Sequence, residues 1–327
     1  MQVDPDAVRH ALASSRTRPR IATVGVASWD RLLMMPSYPE SGTLTMVEHH
    51  TSAPGGTTAN TAVALARLGT SVSVVCAVGD DAPGAAIRQV LEREEIDTSG
   101  LIVRAGEATD QATVVVSREP LDRTIYWHLG AQLKKGDTLD ISRIFGHEVV
   151  LLDLPDTALL RFLLDLPAHT TPSTKLLGTL TFLVDIDQGD GFDLALRHDV
   201  IVGNERDLLT VTGTWTLSDA TAAIQHRMSG QTLRAAVISR GVHGCRVVIA
   251  DHAWQIPAFT VPVVDPTGAG DAFAAGVAFG LAQHWDWPIV GRFANAVGAL
   301  AIRALGAQSS LPSRADVELL LASTPSE

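Results

Sequence analysis

Short apolar runs alternate with segments of helical character along most of the sequence, and this alternation limits the fold more than any other feature. Four apolar runs in the second half are typical of buried strands, at residues 149–152, 182–185, 200–203 and 236–239. Strands separated by helices pair in parallel, because the chain crosses the sheet and returns in a right-handed sense. The sequence therefore predicts an α/β domain built on a mainly parallel sheet.

The first half continues this pattern and adds a segment of different character. Core strands and helices are predicted at residues 21–26, 59–68, 71–78 and 83–95. Segments 111–117 and 124–129 alternate in polarity around a charged turn, which is typical of an antiparallel hairpin. A further short strand is predicted at residues 44–47. Strand 21–26 delivers Asp30 to its carboxyl end, where open parallel sheets bind their ligands.

Composition excludes several classes of function. The chain has 327 residues, 46% of them hydrophobic, so it can bury a substantial core. Its formal net charge of −11 argues against non-specific binding to nucleic acid or to an anionic membrane, because both need a basic surface. Cys76 and Cys245 lack CxxC or Cys/His spacing and are predicted to be buried thiols. No signal-peptide-like or bilayer-spanning apolar run is present, so we expect a soluble, cytoplasmic protein.

Residues 263–276 join an apolar strand end, a turn with two glycines and an alanine-rich helix. The helix is expected over residues 270–282, with Thr267 or Asp265 as its cap. Unpaired N–H groups at a helix N-terminus attract anions. The stretch therefore predicts an anion-binding turn.

The two glycines of this turn, Gly268 and Gly270, cost helix stability. Their presence favours a ligand that approaches the backbone closely, such as a nucleotide phosphate. Asp271 lies in the first helical turn and has two interpretations. It is either a base beside that phosphate or an acidic residue that only complements the helix dipole.

Residues 263–276 resemble the C-terminal signature of the ribokinase-like (PfkB) family of carbohydrate kinases. A second stretch, Gly-Gly-Thr-Thr-Ala-Asn-Thr-Ala at residues 55–62, resembles another signature of the family, and related segments follow at residues 68–69 and 78–84. Two signatures in the right order seldom arise by chance. The resemblance extends over about residues 21–321.

The resemblance implies a three-layer α/β/α sandwich with a mainly parallel central sheet and a small β-sheet lid. The kinase domain is expected over residues 21–327, after a flexible N-terminal extension at residues 1–20. Lid strands are expected within about residues 36–52 and 101–130. A homodimer formed through the lid is a further expectation that the family carries.

The resemblance also implies a group of substrate-binding residues at Asp30, Gly55, Gly56, Asn60 and Asp153. Asp30 would accept hydrogen bonds from sugar hydroxyls, and the amide of Asn60 would read a hydroxyl as both donor and acceptor. At two positions the sequence differs from the family pattern, and these differences leave the identity of the sugar open. Thr57 stands where several relatives have a basic residue, and Asp153 is shorter than the glutamate of ribokinases.

A second group is expected to bind ATP, at Asn204, Asp207, Ser239, Arg240, Gly241, Gly244, Thr267 and Asn295. Asp207 stands in place of a family glutamate and would bind Mg²⁺ through water. Asp185 and Asp187 are further candidates for the magnesium or phosphate neighbourhood, and Arg240 could reach a phosphate oxygen. A monovalent cation, potassium being the candidate, is an open expectation at Asp265, Thr267, Gly306 and Ser310.

The implied reaction is ATP-dependent phosphorylation of a hydroxyl, expected to be a primary one, on a sugar or sugar-like polyol. Asp271 would act as the base. The N–H groups of Gly268, Ala269 and Gly270 would form the anion hole for the transferred phosphoryl group.

Three alternatives stay open. One is a nucleoside kinase of the adenosine or inosine type, on which the aromatic residues at 126–128 do not decide. Another is a kinase for a phosphorylated sugar, disfavoured because Thr57 is uncharged, although Arg104 or Arg123 could supply the positive charge. The last is a catalytically silent regulator that binds a sugar or nucleotide.

Overall fold

The computed structural model describes residues 5–14, 18–166 and 173–323. Its strands are β1 (Arg20–Gly25), β2 (Ser28–Met35), β3 (His49–Gly55), β4 (Ser71–Gly79), β5 (Asp97–Arg104), β6 (Gln111–Arg118), β7 (Leu121–His128), β8 (Val149–Asp153), β9 (Lys175–Thr179), β10 (Val200–Asn204), β11 (Ala235–Ser239), β12 (Cys245–Val248) and β13 (Ala253–Ile256). Nine of these strands form the main sheet, in the order β13-β12-β11-β10-β9-β8-β1-β4-β5. All pairs are parallel except β11–β12 and β12–β13 at one edge.

The helices are α1 (Pro5–Ser14), α2 (Thr57–Arg67), α3 (Ala82–Arg93), α4 (Ile141–Ile144), α5 (Thr157–Asp165), α6 (Gln188–Ala195), α7 (Glu205–Thr212), α8 (Leu217–Met228), α9 (Ala269–Ala282), α10 (Trp287–Ala301) and α11 (Arg314–Ser323). Single 3₁₀ turns lie at Leu183–Asp185 and Gly241–His243. Among the described residues, no helix combines the length and apolarity needed to cross a membrane.

The central strands are buried on both faces because helices cover both sides of the sheet. Successive side chains of a strand point to opposite faces. Leu151 therefore packs into the core formed with α2, α9 and α10, and Leu152 into the core formed with α5 to α8. This double burial explains why the strands are continuous apolar runs. The predicted three-layer α/β/α architecture is confirmed.

A second sheet of four strands, in the order β3-β2-β6-β7, forms the lid. Strands β2 and β6 are parallel, and the other two pairs are antiparallel. Leu32, Met34, Val114 and Val116 share one face of this sheet and form a small core against Leu305. We call this the inner face of the lid. The predicted hairpin is confirmed as β6 and β7.

Three predicted elements differ from the structure. The run 182–185 is not a strand but contains a 3₁₀ turn; β9 at Lys175–Thr179 already fills that place between β8 and β10, and Leu183 packs beside the helices instead. Residues 44–47 form no strand, since Leu44 and Met46 are exposed. The lid includes β2, which precedes the expected range, whereas β5 belongs to the main sheet.

The N-terminal segment also differs from the expected flexible extension in the part that is described. Residues 5–14 form α1, which contacts α10 and α11. Val8 and Leu12 are buried in the main core. Residues 1–4 and 15–17 lie outside the described residues.

Candidate active site

The order of the main sheet reverses between β1 and β8, and a crevice forms outside the carboxyl ends of strands at such a reversal. Gly25 and Asp153 are register partners, so the two strands end at the same level. From β1 the chain continues into β2, which carries Asp30. Helix α2 begins beside the end of β1, where the N–H of Thr58 donates to the carbonyl of Val26 at 3.1 Å. Residues from distant parts of the sequence therefore meet at this crevice.

Asp271 and Asn60 are in direct contact although 211 positions separate them. Nδ2 of Asn60 donates to Oδ2 of Asp271 at 2.8 Å. On its other side, Oδ1 of Asn60 accepts a hydrogen bond from Nε2 of Gln308 at 2.9 Å. Because both polar ends of the Asn60 amide are occupied, the amide and the carboxylate are held in one orientation. The structure thus joins the two signature segments through their polar side chains.

The pKa of Asp271 is raised to about 7, chiefly because burial disfavours the ionised carboxylate. The carboxylates of Asp153 and Asp30 raise it further, whereas the hydrogen bond from Asn60 and the positive charge of Arg123 lower it. A carboxylate with this pKa is close to the protonation balance that suits a general base at neutral pH.

Asp30 lies at the start of the lid and is buried. Its Oδ1 accepts a hydrogen bond from the hydroxyl of Ser28 at 2.7 Å, and burial raises its pKa to about 6. Gly55 on the neighbouring strand leaves the space that this carboxylate fills, since a Cβ there would meet Oδ2 of Asp30 at 2.0 Å. The first residue of the signature at 55–62 therefore serves to accommodate Asp30.

Asp153 is buried at the end of β8, and burial raises its pKa. Its Oδ1 accepts a hydrogen bond from the hydroxyl of Thr179. A hydrogen bond from the hydroxyl of Thr57 partly offsets the rise in pKa, so the two side chains are neighbours. Neither Oδ2 of Asp153 nor this hydroxyl has a hydrogen bond of normal geometry among the described residues, so both can turn to a polar ligand.

The N-terminus of α9 has no side-chain cap. The predicted caps are wrong, because the hydroxyl and N–H of Thr267 both donate to Oδ1 of Asp265. Gly268 is the N-cap residue, with a left-handed φ of 81°. The N–H of Ala269 donates to the carbonyl of Pro266 at 3.3 Å. The N–H of Gly270 has no acceptor among the described residues, so it is available to an anion.

Of the four residues predicted to surround a monovalent cation, Asp265, Thr267 and Gly306 are hydrogen-bonded to one another, and Ser310 is bonded to other residues of the same loop. Oδ2 of Asp265 accepts a hydrogen bond from the N–H of Gly306 at 2.8 Å. The hydroxyl of Ser310 donates to the carbonyl of Ala301 at 2.6 Å and accepts from the N–H of Ala304. These bonds fix the loop after α10 against the turn before α9.

A cavity of about 620 Å³ opens at the N-terminus of α9. Four of the residues predicted to bind nucleotide line it, namely Ser239, Gly241, Gly244 and Asn295. Ala269 and Gly270 lie at one end. Apolar residues that the sequence did not single out, Val242, Phe259 and Ile302 among them, form much of the remaining wall. The cavity therefore combines an apolar lining with a free helix end, as a site for a nucleotide requires.

Asn204 and Asp207 stand at the start of α7, at the carboxyl end of β10. Oδ1 of Asn204 caps the helix through the N–H of Asp207 at 2.9 Å, and Nδ2 of Asn204 donates to Oδ2 of Asp207 at 2.7 Å. Burial raises the pKa of Asp207 to about 6, and the carboxylates of Asp153 and Asp185 contribute to the rise. Three acidic side chains therefore share this part of the crevice.

Arg240 does not point freely into the cavity. Its Nε donates to a carboxylate oxygen of Glu205 at 2.6 Å, and its Nη1 donates to Gln255 at 2.8 Å. The expected reach to a phosphate would first require the ion pair with Glu205 to break. Asn295 is likewise engaged, because its Nδ2 donates to the carbonyl of Pro257 at 3.0 Å and so holds the cavity wall.

The lid contacts the main domain through an aromatic pair that the sequence did not reveal. Trp127 on β7 lies on the inner face, and its ring centroid is 5.5 Å from that of Phe182. Tyr126 and His128, its sequence neighbours, lie on the outer face by strand alternation. The role of Gln308 was also missed, because its loop was considered only for a monovalent cation and Gln308 acts through Asn60.

Comparison with known proteins agrees with this geometry. The model of the pfkB family of carbohydrate kinases matches residues 21–314. The ribokinase of Bacillus subtilis is 29% identical over 317 residues, which cover 92% of this chain and 99% of that protein. The nucleoside kinase of Methanothermobacter thermautotrophicus is 25% identical over 302 residues, which cover 89% and 92%.

The structure of Arabidopsis thaliana ribokinase, solved with ribose and ATP, has the same fold. Its TM-score is 0.77 at 23% identity, over 94% of this chain and 100% of that one. The relatives include kinases of sugars and of nucleosides, so they support a kinase without choosing the acceptor. Since the family match spans most of the chain, the protein belongs to the PfkB family of carbohydrate kinases.

Proposed function

We propose that this protein transfers the terminal phosphoryl group of ATP to a hydroxyl, expected to be a primary one, of a sugar or sugar-like polyol, with Asp271 as the base. One observation carries the proposal: the carboxylate of Asp271, held by Asn60, lies beside a helix end that has no side-chain cap and lines a large cavity. ATP as the donor is supported by the nucleotide bound to the Arabidopsis ribokinase.

The residues divide the work of an in-line transfer. Ionised Asp271 orients the attacking hydroxyl and takes up its proton. The free N–H of Gly270 and the positive end of the α9 dipole stabilise the charge on the transferred phosphoryl group. The N–H of Ala269 contributes once its long hydrogen bond to Pro266 is given up. Asp30 and Oδ2 of Asp153 hold further hydroxyls of the acceptor. The reaction forms no covalent intermediate with the protein.

The acidic residues around Asp207 fit a magnesium ion held largely through water. Bound Mg²⁺ would neutralise charge on the phosphates. Within the described part of the chain no cluster of three or more acidic, histidine or cysteine side chains has the geometry to hold a metal. Asp207 and Asp185 offer hard oxygens that suit Mg²⁺, which keeps several water ligands in such sites.

The predicted monovalent cation would be held by backbone oxygens around Asp265 and Thr267. The side chains of Asp265 and Ser310 are hydrogen-bonded within the protein and hold the loop after α10. We derive no step from such a cation.

A nucleoside is the second candidate acceptor, and Trp127 is the observation that favours it. An aromatic ring on the inner face of the lid, packed against Phe182, could stack on a nucleobase. The relative from Methanothermobacter is a nucleoside kinase. Replacement of Trp127 by leucine should then weaken the binding of nucleosides more than the binding of free sugars.

The proposed function is tested by ADP release with ATP, Mg²⁺ and a panel of pentoses, hexoses, sugar acids, sugar phosphates and nucleosides. We expect turnover with one class of acceptor and a matching rise in melting temperature, because a ligand bound only by the native state stabilises it. Stabilisation by a sugar or nucleotide without product under any condition would instead identify a silent regulator and refute the kinase.

The pH dependence of turnover follows from the raised pKa of Asp271. We expect kcat/KM to rise from pH 5.5 to pH 8.5 with a midpoint near 7, because only the ionised carboxylate accepts a proton. The midpoint is an apparent value of coupled carboxylates. In Asn60→Ala the midpoint should move upward, since the hydrogen bond that lowers the pKa is lost. A downward shift, or a flat profile in the wild type, would contradict the role of Asp271.

A further inference from the structure

Arg123 lies on β7 and reaches the site from the lid. Arg123 pairs with Val116 across the lid, and Met34 pairs with Val116 on the other side. Paired residues of neighbouring strands share a face. Arg123 is therefore on the inner face, the same face that carries Asp30. Its positive charge lowers the pKa of Asp271, so the guanidinium is close enough to act on the proposed base.

Among the described residues, the guanidinium of Arg123 has no hydrogen-bond or ion-pair partner. Its Nε is buried and forms no hydrogen bond, and among the described residues its side chain forms no ion pair. The other arginine on this face near the tip, Arg118, is paired with Glu48 at 2.7 Å. Arg104, the alternative candidate for binding an anion, is paired with Asp137 at 2.7 Å. A buried guanidinium nitrogen without an acceptor is costly unless a ligand supplies one.

The nearby carboxylates do not serve as hydrogen-bond acceptors for the guanidinium of Arg123. Oδ1 of Asp30 is bonded to Ser28, the carboxylate of Asp271 to Asn60, and that of Asp153 to Thr179. These three acidic groups would repel an anionic acceptor from the inner part of the crevice. Arg123 brings to the crevice, from the lid side, a positive charge that forms no ion pair among the described residues. An acceptor anion would therefore be held by Arg123.

We propose that the acceptor carries an anionic group, a phosphate or a carboxylate, at the end remote from the reacting hydroxyl, and that Arg123 binds this group. The inference deepens the proposed function and rests on it. A guanidinium donates two parallel hydrogen bonds to either anion, so it fits both. Thr57 being uncharged does not oppose this, because the positive charge comes from the lid instead.

The test uses acceptors in matched pairs that share a primary hydroxyl: a pentose with its 1-phosphate, and an aldose with its aldonic acid. kcat/KM is measured for the wild type, Arg123→Gln, Arg123→Lys and the control Arg31→Gln, which removes an exposed charge from the outer face of the lid. We expect the wild type to prefer one anionic acceptor at least about 10-fold over its neutral counterpart. Which pair shows the preference distinguishes phosphate from carboxylate.

Assayed at pH 8.5, where Asp271 is largely ionised with or without the charge of Arg123, Arg123→Gln should lower kcat/KM for the preferred anionic acceptor by about 10- to 100-fold and change that of neutral acceptors by less than about 3-fold. Arg123→Lys should restore part of the loss, and Arg31→Gln should behave as the wild type. Better turnover of neutral acceptors by the wild type, or equal losses for both classes in Arg123→Gln, would overturn the inference and leave the kinase proposal intact.

Binding gives a readout that does not depend on turnover. Thermal shifts with the same acceptors, without nucleotide, should be larger for the anionic member of a pair and should be lost in Arg123→Gln. No turnover with any acceptor would refute the proposed function. The thermal shifts would then still decide the inference, because an anionic sugar that stabilises the wild type no more than its neutral counterpart contradicts it.

Discussion

Asp271→Asn should lower kcat by about 10³-fold and leave ATP affinity nearly unchanged. The asparagine has the shape of the aspartate and can still accept the hydrogen bond from Asn60, but its amide does not take up the proton of the attacking hydroxyl. Loss of a general base typically costs about 10²- to 10⁴-fold in rate. Steady-state ADP release gives kcat, and calorimetric titration with a nucleotide gives the affinity.

The same variant distinguishes the two interpretations of Asp271, as a base or as an acidic residue that only complements the helix dipole. The folded state raises the pKa of Asp271 from 3.8 to about 7, so the folded protein binds this proton more tightly than the unfolded chain. Stability contributed by this group therefore falls as pH rises from about 4 through about 7, and the ionised form destabilises the fold at pH 8. Asp271→Asn should preserve or raise the melting temperature at pH 8.

The matched control is Asp219→Asn, which also removes a carboxylate from the first turn of a helix, α8. It should lower the melting temperature slightly and leave kcat unchanged, as expected for a dipole effect. Near-normal turnover of Asp271→Asn would exclude Asp271 as the base. A loss of stability like that of the control would favour the dipole interpretation.

Gly268→Ala should reduce both stability and kcat/KM, the latter by about 10²-fold or more. The φ of Gly268 is 81°, a region that costs a residue with a Cβ about 1–2 kcal/mol. A Cβ there would also meet the backbone oxygen of Ala307 at 2.6 Å, so the turn would have to move. Such a shift displaces the N–H groups that the proposal assigns to the phosphoryl group. Thermal unfolding and ADP release measure the two effects.

Gly270→Ala is the matched comparison, because the two glycines lie in the same turn. A Cβ at Gly270 meets no atom within 4 Å, and alanine favours helix over glycine. Stability should be preserved or increased. Nucleotide affinity should nevertheless fall, because the methyl group would occupy the place where a phosphate approaches the backbone. If Gly270→Ala binds nucleotide normally, close approach does not explain this glycine, and the proposed anion hole is weakened.

Much of the main domain could be predicted from the sequence because its central strands are buried on both faces and the helices α2 and α9 are buried over most of their length. The strands at 21–26, 71–78 and 149–152 are continuous apolar runs for this reason. The helices at 57–67 and 269–282 lie within two residues of their predicted bounds. Burial leaves a strong local pattern, so such elements are visible in one sequence.

The lid was predicted less well because an edge strand needs little burial. β3 is polar and mostly exposed, and its place is fixed by backbone hydrogen bonds to β2, which leave no side-chain pattern. The run 182–185 failed for the opposite reason. Its apolar residues pack against the helices. A short apolar run in a sequence does not show whether the segment is a strand or another kind of buried segment.

In the candidate site, the sequence indicated which residues converge but not how each is engaged. The Asn60 amide was expected to read a substrate hydroxyl as donor and acceptor, whereas the structure engages its two ends with Asp271 and Gln308. Arg240 has the residue type suited to a phosphate, but its ion pair with Glu205 could not be read from spacing. Only the folded arrangement shows which charges are paired and which, like that of Arg123, are not.

The geometry of the candidate site depends on the loop after α10, which is one of the last parts of the chain to be synthesised. Gly306 secures Asp265, and Gln308 secures Asn60. Both residues follow every signature segment in the chain. A nascent or clipped polypeptide ending before residue 306 would contain the whole nine-stranded sheet and both signatures, yet the amide beside Asp271 would be free to turn. The hydrogen bonds that hold the proposed site would thus be completed last during synthesis.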